Sequence, residues 1–148
     1  MKKLGLLLLS IIVLNSCSVE SDEGPNVNYE LAEITKNDLP EEFERGKSYS
    51  VNVEYTLPTE CSTFAYLDAR REGNISAERR NIYVAAISST ISNANCDGET
   101  EGETGVSSFS ILIDERDDYK FYFWKGLDAT NQPIYEEVIV PVIEASGV

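Results

Sequence analysis

Histidine does not occur in this sequence. Its absence removes Ser–His–Asp and Cys–His nucleophile systems, His-ligated zinc and the commonest general base. Basic side chains are scarce: 12 Lys and Arg stand against 26 Asp and Glu, a net charge of −14. No Lys/Arg run interrupts that excess, so nucleic acid and anionic lipid head groups should be repelled. Long apolar runs are missing too. Residues 4–14, broken only by Gly5 and Ser10, are too short to span a bilayer as a stable helix. There is no internal repeat, and the hydrophobic period is mostly two rather than 3.6. Chemistry is left to carboxylates, two of which could flank a glycosidic bond. A carboxylate-based hydrolase is therefore the least favoured class, and no cofactor or metal is expected.

What is present begins with Met1-Lys2-Lys3, a short positive segment, followed by the apolar stretch that ends at Leu14-Asn15-Ser16-Cys17. This order resembles the signal peptide and lipobox of bacterial lipoproteins. The resemblance implies cleavage before Cys17, a diacylglyceryl group on its thiol, and a further acyl chain such as palmitate on the new amine. Several acyl chains anchor stably where one binds only marginally. Residues 18–26 (SVESDEGPN) are polar and acidic and contain Gly24 and Pro25, as suits a solvated tether. Cleavage takes away Lys2 and Lys3 and no acid, making the −14 two units more negative. The expected organisation is signal peptide 1–16, lipidated Cys17 and tether 17–26, and one domain over 27–148. Two further cysteines, Cys61 and Cys96, invite a disulfide in an exported chain. In the chain-entropy model the loop it closes is worth roughly 3–4 kcal/mol.

Seven runs alternate with period two. They are 27–31, 48–55 (SYSVNVEY), 63–70, 81–90, 106–113 (VSSFSILI), 119–125 (YKFYFWK) and 134–142. Asp97-Gly98, Gly102, Gly105, Asp117-Asp118, Gly126 and Asn131-Gln132-Pro133 mark the turns. Residues 35–45 are irregular, with room for one helical turn. The pattern predicts an all-β fold, an antiparallel β-sandwich of about seven strands, with a small barrel as the rival. "DERDDYKFYFW" resembles the start of strand F in immunoglobulin-like domains, which implies that Tyr119 and Phe121 point inward. Phe121 stands where the second core cysteine often lies, so Cys61–Cys96 would be a peripheral staple.

Candidate binding residues fall in two places. Tyr122 and Trp124 share the strand face opposite Tyr119, Phe121 and Phe123, and an exposed pair there can stack on sugar rings or seed a protein interface, unless Trp124 packs under a loop or a strand edge. "RREGNISAERR" is the one basic island, and Arg70, Arg71, Arg79 and Arg80 would converge around a hairpin loop to take an anionic glycan or acidic partner, unless paired with nearby acids. Two acidic stretches, 97–105 (DGETEGETG) and 114–118 (DERDD), lie between strands. Neither has EF-hand spacing, and the plainer reading is solvated loops. "LNSCSVESDEG" together with "YKFYFWKGLDATNQPIYEEVIVPV" resembles small lipoproteins exported by Bacteroidota-type bacteria, with an immunoglobulin-like domain behind the tether. The resemblance implies an outer-membrane location, lipid-anchored at the periplasmic face or cell surface. Glu20, Asp22 and Glu23 resemble a surface-display signal, though interrupted by Ser21. The expected function is a non-catalytic binding module for an envelope protein or glycan. The alternative is a structural accessory of an envelope complex.

Overall fold

A computed structural model describes residues 26–92 and 97–144. The lipobox with Cys17, most of the tether, and Cys96 lie outside the described residues. Nine strands and one short helix follow in order. They are β1 Val27–Asn37, β2 Phe43–Glu44, β3 Ser48–Thr56, β4 Thr63–Arg71, α1 Ser76–Arg79, β5 Asn81–Ile91, β6 Thr104–Leu112, β7 Tyr119–Leu127, β8 Pro133–Val140 and β9 Val142–Ile143. Seven form one sheet in the order β6-β3-β1-β5-β7-β8, with β4 also paired to β5. β2 and β9 make a small parallel pair.

The all-β expectation and its seven long strands are borne out. The antiparallel arrangement is corrected: β5 and β7 run parallel, Asn81 beside Lys120 through Val84 beside Phe123. Residues 35–45, which had room for one helical turn, hold the end of β1 and the short β2 instead. Among the described residues the one helix is α1, in the loop between β4 and β5.

β5 organises the sheet. β4 occupies one of its edges over residues 82–89. The other edge is shared, with β7 pairing to residues 81–84 and β1 to residues 86–91. Beyond Ala32, β1 leaves β5 and pairs through Glu33–Asn37 with β3, which in turn carries β6. The sheet therefore folds along β1, and its two wings face each other. The Tyr55 ring of β3 stacks on Phe64 of β4 at 4.6 Å, and Phe109 of β6 lies 6.3 Å from Phe121 of β7.

Alternation fills the space between the wings. Val51, Val53 and Tyr55 point inward from β3; Ile82, Val84 and Ala86 from β5; Tyr119, Phe121 and Phe123 from β7. Phe43, fully buried on the two-residue β2, plugs one end against Tyr49, Tyr119 and Phe121. Gly105 is where Tyr55 needs room, since a Cβ there would stand 2.4 Å from the phenol oxygen.

Candidate functional site

The parity that buries Phe121 and Phe123 turns Tyr122 outward, and in register it faces Tyr83 of β5 on one side and Glu137 of β8 on the other. Tyr83 and Tyr122 stack with centroids 4.8 Å apart and planes 19° from parallel. Tyr135, opposite Trp124 on β8, meets both tyrosines and the tryptophan edge-on, at 5.4, 6.4 and 5.8 Å. Under Tyr135, Trp124 is only 8 % exposed, so it packs beneath a neighbouring strand's side chain, and the candidate exposed pair with Tyr122 is corrected at this residue. A cross-strand neighbour on the next strand, β8, covers it.

The same outer face continues beyond Trp124. Trp124 lines a cleft of about 250 Å³ with Leu31, Glu33, Leu57, Pro58 and Glu101, at the fork where β1 and β7 part. Lys125 spans that fork. Its Nζ donates to the Ile34 carbonyl at 2.7 Å and pairs with Glu33 at 3.0 Å and Glu136 at 3.9 Å. Past the fork, Tyr29 and Leu31 of β1 lie beside Ser89 and Ile87 of β5, and Tyr66 of β4 flanks Ile87. Tyr29 is 65 % exposed, Tyr66 54 % and Tyr135 38 %. Five of the eight tyrosines and the single tryptophan therefore share one outer sheet face. Burial, with Glu137 accepting the hydroxyl, raises the Tyr122 pKa; burial, with the charge of Glu72, raises that of Tyr83. Both phenols stay neutral donors.

Tyr29, Tyr66, Tyr83 and Tyr135 escaped the sequence reading. For three of them the signal is parity: Tyr29, Tyr83 and Tyr135 sit off the parity of their strands' buried residues, as Tyr83 does between Ile82 and Val84, whereas Tyr66 shares the parity of the inward Phe64 and is turned out by the bulge between them.

The arginines do not form an open basic site. Parallel pairing sets the starts of β5 and β7 side by side, so the loops before them adjoin. Arg71 donates to Asp114 Oδ1 and Arg79 to Asp114 Oδ2, each at 2.7 Å. Arg80 donates to the Asp118 carbonyl at 3.0 Å, with Asp117 at 3.5 Å. Arg70 is apart, exposed and beside Asp68 at 3.6 Å. The basic island and the acidic stretch 114–118 thus neutralise each other. Tyr119 anchors this corner: its hydroxyl accepts from the Asp114 and Glu115 amides at 3.1 Å each and donates to Asp114 Oδ1 at 2.9 Å. Burial pushes the Asp114 carboxyl up, but Arg71 and Tyr119 outweigh it and hold its pKa below the usual carboxylate range.

The loop from Asp97 folds against residues 57–62, where the Glu60 amide donates to the Thr100 carbonyl at 3.0 Å. A Cβ at Gly98 would lie 3.7 Å from Cys61 Sγ. The pairing partner expected for Cys61, Cys96, lies outside the described residues. Among the described residues no three Cys, Asp or Glu side chains converge as a metal site, and no helix is long and apolar enough to cross a membrane.

No protein-family model, no curated protein and no solved structure matches this chain.

Proposed function

We propose that this chain is a non-catalytic binding module, held at the outer membrane by lipid on Cys17, whose tyrosine-rich sheet face docks an envelope protein or glycan. The observation that carries the reading is the concentration of five tyrosines and Trp124 on one outer face, three of them open to solvent. Tyrosine offers large contact area with a polar tip at low entropic cost, which suits it to interfaces and to sugar rings. The patch is larger than scattered surface apolars require.

The immunoglobulin-like sandwich belongs to the same proposal. It is supported by the two wings over one core and by Tyr119, whose hydroxyl binds the chain just upstream as in a tyrosine corner. The parallel β5–β7 pair departs from that pattern. The Arg71, Arg79 and Arg80 contacts count against a basic docking site and leave only Arg70 from that set on the docking wing.

A glycan array and a pull-down from solubilised envelope, both with the full chain, test the reading. Changing Tyr29, Tyr66 and Tyr135 together to Ser should abolish the interaction while the fold survives. Retention of every bound species by that variant would refute the face assignment. Cys17→Ala should release the protein from membranes, and continued detergent-sensitive sedimentation would refute the anchor.

A further inference from the structure

Among the described residues three strands end the large sheet: β4, β6 and β8. An end strand exposes unpaired backbone N–H and C=O groups, and proteins guard such rows with charge, proline or a bulge. β8 starts at Pro133, stops before Pro141 and carries Glu136 and Glu137. β4 bulges between Phe64 and Tyr66 and carries Asp68, Arg70 and Arg71. β6, TGVSSFSIL, has no charge and no proline, and it matches β3 residue for residue without a bulge.

The hydrogen bonds at its end show which groups are free. The Ile113 amide donates to the Lys47 carbonyl at 3.0 Å, and the Gly46 amide to the Ile113 carbonyl at 2.7 Å. Residue 113 is thus turned toward the β3 side. Antiparallel alternation turns 105, 107, 109 and 111 the same way, and 104, 106, 108, 110 and 112 outward. The Leu112 carbonyl agrees, since it accepts from Arg71 Nη2 at 2.6 Å across the gap to β4. Arg71 closes that end. Thr104, Val106, Ser108 and Ser110 present the open row, and all four are exposed.

Beside this edge a cleft of about 300 Å³ separates β6 from β4, with Ala69, Ile82, Phe109 and Ile111 along it and Arg71 and Asp114 at its end. A strand added to β6 would turn every second side chain toward the cleft. Backbone pairing supplies affinity in such additions, and a pocket for alternate side chains supplies selectivity.

We infer that β6 takes up an extended segment of a partner protein by strand addition, with an apolar side chain of the segment in this cleft and basic side chains alternating with it. The charge of −14, with Glu101 and Glu103 just before the strand, attracts a basic segment and repels a second copy. This edge lies on the opposite wing from the tyrosine-rich face and does not depend on it.

The test uses a phage-displayed library of random twelve-residue peptides selected on the full chain. Enriched peptides should alternate apolar with basic residues and slow amide exchange at 106, 108 and 110. Ser108→Pro removes an outward donor without costing a β3 bond. It should weaken binding at least about tenfold. Val106→Lys, at an exposed position, should do the same by charge, and it decides alone if Ser108→Pro fails to fold. The inference is overturned by no enrichment, or by peptides that bind both variants as tightly as the parent. A concentration-dependent dimer that Ser108→Pro dissolves would overturn it too, by making a second copy the occupant.

Discussion

Tyr119→Phe removes one oxygen from a fully buried ring and leaves the ring in place. No cavity of consequence forms, so the packing cost is small. The polar cost is not. Two backbone amides, of Asp114 and Glu115, lose their acceptor, and Asp114 loses a donor. An unsatisfied buried donor costs about 1–3 kcal/mol. The Asp114 side chain is 34 % exposed, so water reaches part of this corner and the lower half of that range applies. Two amides then give roughly 2–4 kcal/mol, a melting point lowered by roughly 8–16 °C for a domain of this size. Trp124, the only tryptophan and buried, reports unfolding by its fluorescence in a urea titration. Tyr122→Phe is the control, because its half-exposed hydroxyl guards no backbone amide; it should cost under about 0.5 kcal/mol. If Tyr119→Phe unfolds within about 0.5 kcal/mol of the parent, or level with the control, the corner does not hold the β6–β7 turn and the reasoning fails.

Asp114, with its pKa lowered in the fold, contributes stability above the ordinary carboxylate range and loses it as pH falls through the lowered value. Asp114→Asn should therefore be less stable at neutral pH and fall less steeply below about pH 4; urea midpoints that track the parent down to acid would contradict this. Phe121→Ala should cost about 3–5 kcal/mol, and Trp124→Ala, buried beneath Tyr135, should approach it rather than behave as a surface change. A calorimetric difference above about 3 kcal/mol between the two would restore the exposed reading of Trp124. Peptide mapping of unreduced protein should yield a Cys61–Cys96 linked pair, and reduction should lower stability by roughly 3–4 kcal/mol; two alkylatable thiols in fresh native material would dismiss the bond.

Strand parity was the legible part of this fold. Val51, Val53 and Tyr55, and Tyr119, Phe121 and Phe123, are buried as alternation required, because each strand's pattern is local. Burial of Trp124 was not legible, since it depends on Tyr135 arriving from another strand. Neutralisation of Arg71 and Arg79 by Asp114 was hidden for a similar reason. The two loops are more than thirty residues apart and meet only because β5 and β7 run parallel, a choice that no local pattern records. The open edge of β6 was equally invisible, since an uncharged strand reads the same in the middle of a sheet as at its rim.

The divided edge of β5 also sets a timetable. Its pairing with β1 spans most of the chain already made, yet half of the same edge waits for Tyr119–Leu127. Closing such distant pairs is entropically costly and slow. Until β7 emerges, the central strand carries an uncovered row of backbone groups, and a chain halted before Tyr119 would be prone to pair with its neighbours. For a protein proposed to leave the cytoplasm, this order of assembly works as a delay, keeping the chain open until nearly all of it has been delivered.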